Sequence, residues 1–386
     1  MKKTFMKALG GVVLSTMLLT ACGGSNPAKN NSNFKIGLSG PLTGGAAVYG
    51  LGVKNGATLA VEEINAAGGL NGKKFEISVM DDALDNSRAA TNYQTLFEDG
   101  MQVSLGAVTS GCCLEYIKNA AEDNVFCLTP SATNDNVVKT AGVYQMCFSD
   151  GGQGIAAAKY IKQEYATRKV GVLYDSSDDY SNGLYNNFKS EYGDGLTVTS
   201  FTADSKTNFS AQINLLKDAN VDFVFLPIYY SEAALFIKQS KDANAFSNDT
   251  IFYGCDGLDG IDSVEGFNPY DYVQEISYLS HFNAKSTSEK TVNFVSKYTT
   301  KYGTDTLNQF GASAYDCVYA IYQAMSEVEA SGTEIDTGIS ASDLADILNG
   351  KFTNSSFKYS GVTGDNISWN ADRTVNKVPT KFVVNG

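Results

Sequence analysis

Residues 34–40 read F-K-I-G-L-S-G, residues 48–67 read V-Y-G-L-G-V-K-N-G-A-T-L-A-V-E-E-I-N-A-A, and residues 74–82 read K-F-E-I-S-V-M-D-D. The first and third are short apolar runs of the β type, whereas the second has the length and the spacing of a helix. A Gly-Gly pair and an Asn-Gly turn separate this helix from the second strand. The strand–helix–strand unit predicts an α/β fold.

The same alternation continues to residue 255, and a mainly helical part follows it. Apolar strands such as V-G-V-L-Y and F-V-F-L-P-I are typical of parallel sheets that helices cover on both faces. The pattern therefore favours doubly wound parallel-sheet architecture. The further strands are predicted near 102–108, 124–129, 144–149, 169–175, 197–203, 222–228, 250–255, 357–369 and 381–385, and the late helices near 287–302, 308–330 and 341–349.

The amino terminus has the pattern of an export signal. A basic start precedes an uncharged, mostly apolar run over 8–21, which is shorter than the roughly 20 residues that span a bilayer. Leu19-Thr20-Ala21-Cys22 resembles the lipobox of bacterial lipoproteins, in which the signal is cut before the cysteine and the cysteine is lipidated. We expect 1–21 to be a lipoprotein signal peptide and 22–33 a polar, lipid-anchored tether. The alternative is an ordinary signal peptide with a chance cysteine.

Composition excludes several functions. The whole chain has 29 basic and 42 acidic residues; removing 1–21 takes away three lysines, which leaves a net charge of −16. Such a chain repels phosphate backbones, so we expect no nucleic-acid partner. About 350 residues remain beyond the tether, enough for two lobes of ordinary size.

No metal site or catalytic centre is predicted. The six cysteines after Cys22 lack C-x-x-C spacing and a neighbouring histidine, and His281 is the one histidine of the chain, so we expect small buried side chains rather than zinc ligands. The acids from Asp256 to Glu265 recur every three residues, which does not match a calcium loop. The chain has no G-x-S-x-G elbow and no phosphate-binding G-x-x-x-x-G-K-[ST] loop. We therefore predict that the protein is not an enzyme.

Gly152-Gln153-Gly154-Ile155-Ala156-Ala157 resembles a dinucleotide fingerprint. It follows a strand, opens a helix and precedes an acid, Asp175, at the end of the next strand. Ser149 and Asp150 would crowd a pyrophosphate, and an exported protein meets little nicotinamide cofactor. We expect a glycine-rich helix start at a crossing between lobes and no cofactor; an exported oxidoreductase is the alternative.

Hydroxyl side chains follow two neighbouring strands. Thr109-Ser110 comes after L-G-A-V, and Ser131-Ala132-Thr133 comes after V-F-C-L-T-P, each just before a helix start. Either cluster alone is explained by helix capping. Together with Asp256, which follows the apolar run I-F-Y-G-C, they fit a zwitterion: donors for a carboxylate and an acid for an ammonium group.

Aromatic side chains lie at the same ends of strands and helices. Tyr49, Tyr180, Tyr229 and Tyr230 each follow a strand end or begin a helix. Core packing explains any one of them, but together they can wall a pocket for an apolar side chain.

Several motifs in order resemble the type I periplasmic-type binding proteins, and more narrowly the leucine/isoleucine/valine-binding branch that serves branched-chain amino acid ABC transporters. The resemblance implies two doubly wound parallel-sheet lobes joined by a three-crossing hinge. It assigns 34–150 and 279–352 to the first lobe and 151–278 and 353–386 to the second. The motifs are F-K-I-G-L-S-G-P-L-T-G, the run from Tyr49 to Lys74, D-D-A-L-D-N, T-P-S-A-T-N, Q-G-I-A-A-A-K-Y-I and D-F-V-F-L-P-I-Y-Y-S-E-A.

The resemblance also implies roles for individual residues. In the first lobe, Ser110, Ser131 and Thr133 match the positions that hold the ligand carboxylate. In the second lobe, Tyr229 and Asp256 match the positions that take the ammonium group. The positions that line the side-chain pocket are matched by Tyr49, Tyr180 and Phe310.

The implied function is that of an extracytoplasmic, membrane-anchored substrate-binding lipoprotein of an ABC importer. As a monomer, the protein would capture an amino acid, branched-chain or otherwise apolar, between closing lobes. It would then deliver this ligand to the membrane permease. The alternative is a tethered sensor of small amino acids or carboxylates that signals to a membrane receptor.

Two positions depart from the family pattern. Relatives often have glutamate where this chain has Asp256, and a cysteine where it has Leu84. Because Thr109 stands at the other end of that pair, the disulfide of those relatives cannot form here.

Overall fold

The computed structural model describes residues 31–385, which fold around two separate, mostly parallel sheets. Cys22 and the predicted signal peptide lie outside the described residues. The predicted α/β fold with two doubly wound sheets is confirmed.

The first sheet is parallel throughout, with strand order β2-β1-β3-β4-β5. Its central strand β3 is buried at every position, as expected of a sheet covered on both faces. The five strands are β1 (Phe34–Gly40), β2 (Phe75–Asp81), β3 (Val103–Ala107), β4 (Cys127–Thr129) and β5 (Val143–Gln145).

The second sheet has the order β11-β10-β9-β8-β6-β7, and only the edge pair β10–β11 is antiparallel. Its middle strands β8 and β9 are fully buried. The six strands are β6 (Val170–Asp175), β7 (Thr197–Phe201), β8 (Phe223–Leu226), β9 (Ile251–Gly254), β10 (Glu275–Ser280) and β11 (Thr380–Val383).

Ten α-helices cover the sheets in residues 31–385. Most begin at a side-chain cap; Asp85, for example, accepts the N–H groups of Ser87 and Arg88 at the start of α2. The helices are α1 (Ala47–Ala66), α2 (Asn86–Glu98), α3 (Ser110–Glu122), α4 (Asp150–Glu164), α5 (Asp179–Tyr192), α6 (Ser210–Asp218), α7 (Tyr230–Asp242), α8 (Glu289–Tyr302), α9 (Gln309–Ala330) and α10 (Ala341–Phe352).

The chain passes between the two sheets three times. It leaves the first sheet after β5, returns after β10 so that α9 packs on α1 and β4, and crosses again before β11. These passages are the three crossings expected of the hinge.

The segment after α10 differs from its predicted place in the second lobe. The Trp369 indole donates to the Gln145 carbonyl of β5 at 2.8 Å and packs on Phe352 with ring centroids 4.4 Å apart. Residues 357–375 therefore lie on the first sheet, because their apolar side chains fill the gap beside β5 and α10, and only β11 joins the second sheet. The predicted hairpin in this segment consists of isolated bridges rather than strands.

Strand β4 is shorter than predicted. Asn124 has a left-handed backbone (φ 48°), and the Val125 N–H donates to the Ala120 carbonyl, so these residues close the end of α3 instead of extending the strand. Strand β5 also ends early, because the chain after Met146 turns toward the first crossing.

All six cysteines in the described part of the chain are buried and unpaired, as expected of small core side chains. None of the helices between residues 31 and 385 has the length and apolar character needed to cross a bilayer.

Helices α1 and α9 approach closely through glycine. A Cβ atom at Gly56 would lie 1.9 Å from the Gly311 carbonyl oxygen, so only glycine permits this contact. The contact fixes α9, and with it Phe310, against α1, which carries Tyr49.

We expect Gly56→Ala to lower the free energy of unfolding by about 1–3 kcal/mol, because the added methyl group overpacks a backbone contact. Urea denaturation of the purified protein measures the change. Gly350→Ala in α10 is the matched control, since nothing lies within 4 Å of a Cβ atom at that position. The control is expected to be neutral or stabilising by up to about 1 kcal/mol, and equal effects of the two changes would contradict the close packing of α1 and α9.

Candidate functional site

The predicted hydroxyl clusters lie side by side at the carboxyl edge of the first sheet. Ser110 is the first residue of α3, and its hydroxyl accepts the Asn134 N–H at 3.3 Å. The Ser131 hydroxyl donates to the Val108 carbonyl at 2.5 Å. The clusters meet because β3 and β4 are parallel neighbours, so their carboxyl ends share one edge.

The start of α3 adds donors at the same place. The first N–H groups of a helix have no intrahelical partner, and the helix dipole favours an anion beside them. The hydroxyl of Thr109, the residue before α3, does not cap the helix. This edge therefore suits a carboxylate.

Asp256 lies opposite, just after β9 of the second sheet, and is 1% exposed. Its Oδ1 accepts the Tyr180 hydroxyl at 2.8 Å, and its backbone N–H donates to Gln153 Oε1 at 2.9 Å. Its Oδ2 is buried without a hydrogen-bond partner among the described residues. Burial raises the pKa of Asp256 to about 7, although the Tyr180 and Gln153 side chains oppose the shift.

Four aromatic rings stand between these polar walls. Tyr180 and Tyr229 stack with centroids 4.9 Å apart and an interplanar angle of 7°. Tyr49 meets Tyr229 edge-on at 5.7 Å and Phe310 at 5.0 Å. Tyr180 and Tyr229 come from the second-sheet side, whereas Tyr49 and Phe310 begin α1 and α9.

The Tyr49 hydroxyl also links the two halves of the molecule. It donates to the Gly257 carbonyl and accepts the Tyr230 N–H at 3.3 Å, and both partners belong to the second-sheet side. Burial raises the pKa of the Tyr49 hydroxyl well above its usual value, so this group stays protonated and can donate.

These side chains enclose a cavity between the sheets with a volume of about 20 Å³, room for about one water molecule. Seven of the eight predicted ligand-binding residues line it. They are Tyr49, Ser110, Ser131, Tyr180, Tyr229, Asp256 and Phe310, and the structure adds Val108, Thr109 and Gly257.

Thr133, the eighth predicted residue, does not line the cavity. It is buried, its carbonyl accepts the Asp150 N–H at 2.8 Å, and its hydroxyl opposes the effect of burial on the Asp150 carboxyl. The proline-led turn after β4 directs Ser131 toward the cavity and Thr133 toward the first crossing.

Asp150 is a second buried acid beside the site that the sequence reasoning missed. It is 0% exposed, neither carboxylate oxygen has a hydrogen-bond partner of good geometry, and burial raises its pKa well above the usual value. The position of Asp150 after Ser149, at the start of a predicted helix, could have indicated it. In the sequence it served only as an argument against pyrophosphate binding.

The glycine-rich start of α4 serves packing. A Cβ atom at Gly154 would lie 2.9 Å from the Leu184 carbonyl oxygen, so this glycine lets α4 lie against α5. The Gln153 side chain between the two glycines contacts Asp256. No group of three or more potential metal ligands is found within residues 31–385.

Known proteins that this chain resembles include binding proteins for leucine or for branched-chain amino acids in general. A 234-residue stretch is 35% identical to the Leu/Ile/Val-binding protein BraC3 of Rhizobium johnstonii and covers 59% of this chain; the chain thus spans 62% of that relative's length. The crystal structure of a leucine-binding protein, LivK, from Thermotoga maritima superposes with a TM-score of 0.78 and 25% identity, covering 91% of this chain and 95% of the other. LivJ of Streptococcus pneumoniae, a branched-chain amino acid transporter substrate-binding protein solved with isoleucine, gives a TM-score of 0.75 and 29% identity with the same coverage.

The family profile described as periplasmic binding protein matches residues 33–377. This match includes every strand of the two sheets except the edge strand β11, and every residue that lines the cavity. The chain therefore belongs to the periplasmic binding protein family.

Proposed function

We propose that this protein is the extracytoplasmic substrate-binding component of an ABC importer and that it captures an amino acid, branched-chain or otherwise apolar, between its two lobes. The observation that carries the proposal is the cavity in which hydroxyl donors and a helix N-terminus face a buried acid across aromatic walls. The names of the relatives, which are leucine-, isoleucine- and valine-binding proteins, support the same class of ligand.

The two polar walls match the two ends of an amino acid. The Ser110 hydroxyl and the start of α3 would hold the carboxylate, joined by the Ser131 hydroxyl once it turns from the Val108 carbonyl. The free Oδ2 of Asp256 would accept a hydrogen bond from the ammonium group, whose positive charge would compensate the buried carboxylate. Asp150 would stabilise the same ammonium group from the side of the first crossing, where the Thr133 hydroxyl lies beside its carboxyl.

The rings would enclose the apolar side chain. A cavity of about 20 Å³ does not hold a leucine side chain, so the lobes must separate to admit the ligand and then close with the rings repacked around it. Tyr49 would favour the closed form, because its two hydrogen bonds span the lobes.

The remaining parts of the proposal concern location and partners. Lipidation of Cys22 would anchor a monomer outside the cell membrane through the tether 22–33. The closed, loaded protein would then dock on a membrane permease.

Asp256→Asn should weaken the binding of leucine, isoleucine or valine at least about 30-fold, because removing one partner of a buried charge pair costs about 2 kcal/mol or more. Isothermal titration calorimetry measures the loss. Asp262→Asn is the matched control, an exposed acid six residues further along the same segment that should leave the affinity unchanged. Tight binding by Asp256→Asn would contradict the assignment of the ammonium partner.

Affinity for the amino acid should rise as pH increases from 5.5 to 8. The pKa of Asp256 is about 7 and an ammonium group pairs only with the ionised carboxylate, so binding below pH 7 releases a proton and is weakened by acid. The expected slope is up to about tenfold per pH unit below 7, with a plateau near 8. Calorimetric titrations over this pH range test the expectation, and Asp256→Asn should flatten the profile. A wild-type profile that is already flat would exclude ionised Asp256 as the partner.

A further inference from the structure

A second cavity, with a volume of about 190 Å³, lies directly outside the first one at the mouth of the cleft. One wall consists of the first-sheet loops at Leu84 and Thr109, and the other of the loop 175–179 that follows β6 in the second sheet. Both lobes thus contribute to this cavity, as they do to the inner one.

Thr109 borders both cavities. The residue is 4% exposed, and its hydroxyl has no hydrogen-bond partner other than the weakly interacting Cys112 thiol. A second link is the Tyr229 hydroxyl, which lies 3.5 Å from Asp178 Oδ1, so the ring that walls the inner cavity touches the outer one. A ligand side chain that leaves the inner cavity beside Thr109 therefore enters the outer one.

The outer cavity is acidic. Asp175, Asp178 and Asp179 line it together with one cation, Lys206. The Lys206 Nζ lies 3.3 Å from Asp175 Oδ2 and 3.5 Å from Glu232 Oε1, so its charge is already balanced. Within the described part of the chain, no lysine or arginine nitrogen lies within 4 Å of the Asp178 or Asp179 carboxylate. Neither carboxylate thus has a paired cation, although Asp178 accepts the Ser181 N–H through Oδ2 and the Tyr229 hydroxyl through Oδ1.

The outer cavity is larger than the inner one and has room for an extended side chain. A cavity of about 150 Å³ accommodates a six-carbon ring, so 190 Å³ holds the five heavy atoms of an extended butylammonium chain. The inner cavity has room for about one water molecule. The free space available to an extended side chain thus lies among carboxylates.

We propose that the outer cavity is a side-chain subsite for a cationic group, so that the protein also binds basic amino acids such as lysine, with the α-carboxylate and α-ammonium held in the inner site and the side-chain ammonium held by Asp178 and Asp179. This inference rests on the proposed function. Anionic side chains are excluded by the same two carboxylates, and the acidic surface favours approach of cations.

L-lysine, L-norleucine and L-leucine distinguish the subsite from the inner site. Lysine and norleucine share the same carbon chain and differ in the terminal ammonium group. Calorimetric titration of the full chain is expected to give lysine at least a tenfold higher affinity than norleucine. Norleucine binding as tightly as lysine or tighter would overturn the subsite and, with leucine bound, leave the proposed function standing, whereas failure of all three to bind would overturn both.

Asp179→Asn and the double change Asp178→Asn/Asp179→Asn test the residues. Asparagine at position 178 keeps the helix cap that Asp178 provides to the Ser181 N–H, so folding is preserved. The expected result is a fall in the lysine-to-norleucine affinity ratio of about tenfold or more for the double variant. Asp194→Asn, an exposed acid just after the same helix, is the matched control and should leave the ratio unchanged. An unchanged ratio in the double variant would overturn the assignment.

Discussion

The site depends on a buried carboxylate with one uncompensated oxygen. Asp256 is almost fully buried, and Tyr180 and Gln153 satisfy only part of its hydrogen-bonding capacity. Burying an unpaired charge is costly, and the protein answers by raising the pKa of Asp256 to about 7 rather than by supplying a cation of its own. A ligand with an ammonium group would offset this cost. Part of its binding free energy would then come from pairing the buried carboxylate.

The parallel sheets explain why such a ligand meets the other groups at the same place. Loops after β3 and β4 share one edge, loops after β6, β8 and β9 share another, and the three crossings keep the two edges face to face. The α1–α9 contact at Gly56 and Gly311 then sets the position of Phe310 and Tyr49 between them. The walls of the cavity thus come from seven separate segments, which share their place at the end of a strand or the start of a helix.

Because the lining residues lie at strand ends and helix starts, most of them could be predicted from the sequence. Apolar runs that stop at hydroxyl or acidic residues located Ser110, Ser131 and Asp256, and the same reasoning pointed to Tyr49, Tyr180 and Tyr229, whereas Phe310 came from the family resemblance alone; all seven line one cavity. Local patterns did not reveal that the turn at Pro130 separates Ser131 from Thr133, or that Asp150 is buried beside them, because both depend on packing across the first crossing. The segment 357–375 was misplaced for a similar reason: alternating residues predict a hairpin but not the sheet on which Trp369 packs.

Aspartate side chains line both the inner cavity and the outer one. The inner site offers the buried carboxylate of Asp256 behind a wall of rings, whereas the mouth of the cleft adds three acids and one lysine, Lys206, which is already paired with Asp175 and Glu232. Lobe closure brings both sets of carboxylates into a region of reduced solvent, where their mutual repulsion grows. Under the proposed function and subsite, a basic amino acid would stabilise the closed form twice, once at the α-ammonium and once at the side chain, whereas an apolar ligand would gain only the first of these contributions. Discrimination between the two kinds of amino acid would then depend on how completely the cleft closes over Asp178 and Asp179.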